Sequence, residues 1–244
     1  MDNNEMNNAT LKPGIIYESP EYDVFSQMAA DEALCGCRDA EYLLHFFNWS
    51  GNGITFGYAQ RHGQVEEAAS AISGKKLPEM VRRPTGGGIV FHEDDITFSF
   101  IFPSPELLFD PHKAYSRLHG AINAKYREYG EDYSLSSEKT KDYSVNSPAM
   151  ACFSRPVSLD ILHNGKKILG GALRKLGNRM LYQGSFQHPG ARNRQDFHRR
   201  VITEALAGEF GIAWQERPFT PELLARTAEL SKNKYHTHDW NYRI

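Results

Sequence analysis

Apolar and polar positions change period at several places along the chain, and each change predicts an element. Phe25, Met28, Ala29 and Leu34 recur at helical spacing, predicting an amphipathic helix over 25–34 that carries Asp31 and Glu32 in its middle. Residues 42–49 form a dense aromatic and aliphatic run, read as a buried strand; Gly51-Asn52-Gly53 turns it, and 54–58 is expected to pair back as its hairpin partner. A short helix over 65–72 ends at Ser73-Gly74, and 80–83 reads as a strand entering a glycine stretch. Strands follow at 89–91 and 96–102, the second alternating Thr97 and Ser99 with Phe98, Phe100 and Phe102. Asp110-Pro111 is a helix start, with Tyr115, Leu118, His119, Ile122, Tyr126 and Tyr129 spaced as one face up to Gly130. Residues 131–147 are polar and predict a mobile loop. A meander is expected over 157–163, 166–173 and 180–186, turned at Asn164-Gly165 and Gly177-Asn178. Helices over 197–210 and from Thr220-Pro221 to 230 precede an aromatic, basic tail from residue 235. An edge strand is expected at 15–17, and the Asn-rich start predicts a disordered tail over 1–12 followed by a single domain over 13–244.

Strands grouped in hairpins with helices between the groups argue for an α+β fold, a mixed and mostly antiparallel sheet covered by helices, and against a doubly wound one. Composition adds little to that picture. The 244 residues are 40 % hydrophobic and 24 % charged, with a net charge of −2. No field of one sign covers the chain, so bulk nucleic-acid binding is not indicated and an anion site has to be local. Cys35, Cys37 and Cys152 match neither zinc nor thioredoxin spacing, so no metal is expected. With no signal peptide and no apolar run of membrane-spanning length, a cytoplasmic protein without membrane attachment is expected.

Candidate chemistry lies in three places. The first is Arg82-Arg83-Pro84-Thr85-Gly86-Gly87-Gly88-Ile89-Val90-Phe91-His92. Consecutive glycines suit a backbone that approaches a ligand closely, and guanidinium forks suit an anion. A hairpin whose glycines only relieve sterics is equally open. The second is Lys167, followed by Gly170-Gly171-Ala172, which sets an ammonium beside bare backbone; a solvated turn lysine is the other reading. The third is Cys152, either an inert buried thiol or, beside an ammonium, a reactive thiolate.

The Arg82–His92 stretch followed by Lys167-Ile168-Leu169-Gly170-Gly171-Ala172 resembles the biotin/lipoate protein ligase superfamily on its lipoate and octanoate branch. Residues 28–34 are similar to that family's early helix and Trp240-Asn241 to its closing segment, so the resemblance spans nearly the whole catalytic domain. It implies a class II synthetase-like α+β fold with the arginine/glycine loop bordering the acyl pocket. Two chemistries share this scaffold. Lipoate ligases need ATP and Mg to make a lipoyl-adenylate. Octanoyltransferases need no cofactor and pass the chain from octanoyl-acyl-carrier protein, through a cysteine, to a lysine of a lipoyl domain (H protein or dehydrogenase E2). Cys152-Phe153, the His92-Glu93-Asp94-Asp95 segment and the lack of an accessory domain resemble the transferases. Departures are Gly170-Gly171-Ala172 for Gly-Ser-Ala, Leu159-Asp160 for the ligases' Asn-Asp, and Gly88, a third glycine that one transferase group often lacks. A non-catalytic acyl-binding relative is the third possibility.

The resemblance implies Cys152 as acyl acceptor, with Lys167 setting its protonation and holding the thioester oxygen. Thr85, Gly86, Gly87, Gly88, Gly170, Gly171 and Ala172 are expected to border the substrate, and Arg82 and Arg83 to meet a phosphate. His92 is expected to bind rather than catalyse.

Overall fold

The computed structural model describes residues 10–104, 110–138 and 156–243. An eight-stranded sheet runs in the order β11-β1-β2-β6-β10-β9-β8-β7. Its strands are β1 (Lys12–Glu18), β2 (Tyr42–Phe46), β6 (Ile96–Pro103), β7 (Ser134–Leu135), β8 (Ile161–His163), β9 (Lys166–Leu176), β10 (Arg179–Phe186) and β11 (Ile212–Pro218). The β11-β1-β2 pairings are parallel and the remainder antiparallel, as the mixed, mostly antiparallel reading anticipates. A smaller sheet, β4-β3-β5, consists of β3 (Gly53–Phe56), β4 (Met80–Arg82) and β5 (Val90–His92).

Helices α3 (Pro111–Glu128) and α4 (Gln195–Phe210) cover one face of the large sheet, burying Leu118, Ile122, Tyr126, Val201, Ile202 and Leu206 against Phe98, Phe100, Tyr182 and Phe186. Helices α1 (Val24–Gly36) and α5 (Pro221–Leu230) cover the other, with Met28, Leu34 and Leu223 against Leu43, Ile101 and Leu181. The small sheet has its own core, Ile54, Phe56 and Ile89 with Val65 and Ala69 of α2 (His62–Ser73). Local signals act where expected. Asp110 accepts from the amides of His112 and Lys113 at the start of α3, and Thr220 caps α5 ahead of Pro221. Asn164 and Gly165, both at positive φ (50° and 73°), turn β8 into β9 as a two-residue hairpin of the primed type.

Three expectations need correction. The 42–49 run and the 54–58 segment do not form a hairpin: β2 lies between β1 and β6, whereas β3 pairs with β4 and β5. The connecting segment is tied to the start of α1 instead, through a Tyr22–Trp49 bridge and the Gln27 amide donating to Asn48 O at 2.6 Å. That anchor carries the chain off one sheet and onto another. The 131–147 segment contains β7 at Ser134–Leu135; residues 139–147 lie outside the described residues. Strand β11 was not anticipated; its polar run Gln215-Glu216-Arg217 fits an exposed edge. The tail expected to be disordered overlaps residues 1–9, outside the described residues; β1 begins at Lys12, opposite Ile212. No described helix is long and apolar enough to cross a membrane.

Candidate active site

Where the two sheets face each other, β9 and β10 form the floor of a cavity with about 410 Å³ of empty volume. Much of that volume is open to solvent, and about 30 Å³ of it admits a water-sized sphere, so the site is a narrow cleft. Met28, Phe47, Val90 and Ala172 supply apolar wall, and Arg83, Thr55 and His92 supply the polar roof. Gly170 is a close-approach position: a Cβ there would fall 2.2 Å from Cε and 2.5 Å from Nζ of Lys167. The lysine therefore lies across bare backbone rather than in solvent. Its Nζ pairs with Asp160 Oδ2 at 2.9 Å, both side chains buried. Burial raises the Asp160 carboxyl pKa, opposed by Lys167 and by the amide of Val157, which donates at 2.7 Å. Of the two readings of Lys167, the solvated one is excluded.

The glycine loop is held by Arg83. Its Nε and Nη2 donate to Gly86 O (3.0 and 2.6 Å), Nη2 also to Gly88 O (2.7 Å), and Nη1 to Thr55 Oγ1 (3.2 Å). Gly87 has φ 84°, and a Cβ on Gly57 would stand 1.9 Å from Gly87 O, so two backbones touch here with no room for a side chain. Thr85 donates to Gln183 Oε1 at 2.6 Å, joining the loop to the floor.

Arg82 does something else. It is fully buried, and its guanidinium donates to four carbonyls: Trp240 O, Tyr58 O, Gln60 O and Asn241 O, at 2.6–3.0 Å. The expectation that it meets a substrate phosphate is corrected. Successive side chains of an extended segment point to opposite sides, so Arg82 and Arg83 cannot both face the cavity. Burial pulls the Arg82 pKa down to about 10.

His92 is bound at both nitrogens. Nδ1 donates to Asp95 Oδ2 at 2.8 Å, Nε2 accepts from Thr55 Oγ1 at 2.9 Å, and the ring stacks on Trp49 at 4.5 Å. Burial opposes the charge on Asp95, but the His92 ring and the hydroxyls of Thr97 and Ser185 outweigh it and keep the carboxyl below its ordinary range. A chain Arg83–Thr55–His92–Asp95 thus fixes the roof.

Four polar residues escaped the sequence reading as site residues. Asp31, on the buried face of α1, accepts from Gln183 Nε2 (2.6 Å), Ser99 Oγ (2.6 Å) and His45 Nδ1 (3.0 Å). It holds the Gln183 side chain at the cavity wall; the available signal was a carboxylate among Met28-Ala29-Ala30 on an otherwise apolar helix face. Asp160 is the second and Gln183 the third. The fourth is His119 on α3, whose Nδ1 donates to Leu159 O (2.7 Å) while Nε2 accepts from the Tyr182 hydroxyl (2.7 Å). Leu159 aims that carbonyl from the left-handed region, φ 73°, a costly conformation for a branched side chain. Cys152 lies outside the described residues.

Burial pushes His119 down to about 4, and His198 likewise. In the unfolded chain both take up protons near 6.5. The unfolded state therefore binds more protons between these values, and stability is lost as pH falls from about 6.5 towards 4. Urea midpoints are expected to drop across that window. His119→Gln should flatten the dependence without abolishing it, since His198 contributes in the same direction; an unchanged slope would show that His119 is not buried as a neutral base.

Comparison with known proteins fits this geometry. The chain is 24 % identical over 270 residues to octanoyltransferase LipM of Halalkalibacterium halodurans, covering 93 % of this chain and 97 % of that one. It is 32 % identical over 168 residues to LipM of Moorella thermoacetica, covering 67 % and 60 %. Among solved structures, lipoate-protein ligase A bound with ATP superposes with a TM-score of 0.72 at 21 % identity, covering 95 % and 99 %. The bipartite lipoate protein ligase of Thermoplasma acidophilum gives 0.70 at 18 %, covering 95 % and 96 %. At such identities the structural likeness speaks for the fold. Residues 23–199, from the N-cap of α1 to the second turn of α4, match the lipoyl protein ligase A/B catalytic domain, and the chain belongs to that family.

Proposed function

We infer that the chain is a protein octanoyltransferase of lipoylation, taking an octanoyl group from acyl-carrier protein onto Cys152 and passing it to a lysine of a lipoyl domain. The observation that carries this reading is the buried Lys167 ammonium, laid across Gly170, which lines the cleft between the two sheets. LipM relatives spanning most of the chain support the same choice. An eight-carbon chain gains ~0.8 kcal/mol per methylene buried against Met28, Phe47 and Val90.

In the first step Cys152 gives up its proton and the thiolate attacks the donor carbonyl, a new C–S bond forms, and the carrier's C–S bond breaks, its sulfur leaving as a thiolate that takes up the proton Cys152 released. In the second, a lysine amine attacks the Cys152 thioester, the C–N bond forms, the C–S bond breaks, and the amine proton returns to sulfur. Both tetrahedral intermediates place negative charge on the carbonyl oxygen. Lys167 and the amides along Gly170–Ala172 are the groups to receive it. Exchange of one thioester for another is nearly even and formation of the amide runs downhill, so no cofactor is needed.

Incubation with octanoyl-carrier protein, without ATP, is expected to add one octanoyl mass on Cys152, and Cys152→Ala to remove both adduct and turnover. A Cys152→Ser variant with full activity would overturn the reading. Amide formation that requires ATP and free lipoate would replace it with a ligase.

A further inference from the structure

Beside the glycine loop, three arginines surround one tyrosine. Arg174 on β9 stacks on the Tyr58 ring at 3.8 Å and Arg243 at 3.9 Å, while Arg82 donates to the Tyr58 carbonyl from below. Among the described residues no carboxylate pairs with any of the three. The charged groups that act on Arg82 are Arg243 and Tyr58. In a chain of net charge −2 this is a concentration of positive charge set against backbone carbonyls and a ring quadrupole. The Arg174 guanidinium first, and that of Arg243 next, pull the Tyr58 phenol down to about 8. Both cationic fields therefore add at the hydroxyl edge of the ring.

The cluster is joined to the cavity. Arg174 Nη1 donates to Pro84 O at 2.7 Å, and the Tyr58 amide donates to Thr85 O at 2.8 Å, each at the entrance to the glycine loop. Gly170, Ala172 and Arg174 alternate along one side of β9. At about 3.3 Å per residue, Arg174 lies roughly 13 Å along the strand from the bare backbone that Lys167 crosses. A cation thus stands at each end of one row, Lys167 across Gly170 and Arg174 four residues further on.

We propose that the hydroxyl edge of Tyr58, flanked by Arg174 and Arg243, binds the phosphate ester of the donor's prosthetic arm while the arm's thioester reaches Lys167. Guanidinium forks match phosphate oxygens in a way that ammonium groups do not. The site takes over the role the sequence assigned to Arg82, which the fold uses internally. This proposal rests on the transfer reading above, and a nucleotide phosphate is the other source of the same chemistry.

The test compares octanoyl-phosphopantetheine with octanoyl-pantetheine as donors, the two differing only in the phosphate. In Arg174→Gln, in Arg243→Gln and in the double variant, the preference in kcat/KM for the phosphorylated donor is expected to fall about tenfold or more, through KM. Arg174→Lys, which keeps the charge and loses the fork, should fall in between. An unchanged preference in the double variant overturns the proposal. Arg243 is exposed, so its variant reports even where Arg174→Gln fails to fold.

Calorimetry with phosphopantetheine and with ATP, without turnover, separates the two sources. Phosphopantetheine binding that weakens in the variants supports the site even if no Cys152 adduct forms and the transfer reading fails. Loss of ATP binding alone overturns the assignment to the donor arm.

Discussion

Lys167→Met is expected to lower octanoyl transfer by about 10²–10³-fold, the usual loss when one group facing a developing oxyanion is removed. The same change strips the counter-ion from Asp160, which is buried and already has a raised pKa. Breaking a buried pair from one side costs about 3–5 kcal/mol, less whatever Asp160 recovers by taking up a proton. The two consequences separate in the double variant Lys167→Met/Asp160→Asn. Asparagine keeps an acceptor for the Val157 amide and carries no charge, so most of the stability should return while transfer stays lost. Unfolding curves and single-turnover rates on the three proteins decide it. A single variant with near wild-type kcat would remove Lys167 from the chemistry.

Gly57→Ala is expected to be severely damaging. The added carbon would meet the Gly87 carbonyl at 1.9 Å, and that carbonyl cannot retreat freely because Arg83 holds Gly86 and Gly88 on either side. A destabilisation of about 3 kcal/mol is expected, at the upper end of overpacking costs. Activity should fall by about 10²-fold even at temperatures where the fold survives, since a loop displaced by an ångström misplaces the substrate. Gly120→Ala in α3 is the control. Nothing lies within 4 Å of its Cβ position, so that variant should gain about 0.5–1 kcal/mol. If both variants melted together, the Gly57–Gly87 contact would not be what fixes the loop.

Most of the framework was legible because local chemistry specifies it. Asn164-Gly165 dictates a primed hairpin turn, and Asp110-Pro111 and Thr220-Pro221 mark helix starts; all three stand where the residues indicate. The pairing of β2 was not legible. Its partners, β1 and β6, come from distant parts of the chain, and no turn residue encodes that choice. The site shows the same division. Gly87, at φ 84° with Arg83 Nη2 2.9 Å from a Cβ position, and Gly170, crossed by Lys167, stand where a side chain would clash. Their polar supports, Asp31, Asp160 and His119, read as ordinary helix or loop residues until the fold brings Gln183, Lys167 and Tyr182 beside them. Arg82 and Arg83 had to diverge by the geometry of a strand, but which one turned inward depends on carbonyls at 240 and 241.

That last dependence bears on how the molecule is made. A chain emerging from the ribosome tends to organise its N-terminal parts first. Here the cation at position 82 lacks two of its acceptors until Trp240 and Asn241 have been synthesised, and burying it sooner would strand its donors without partners. The strand that leads into the triple glycine therefore completes its hydrogen bonding only after residues 240 and 241 are in place, late in the making of the chain.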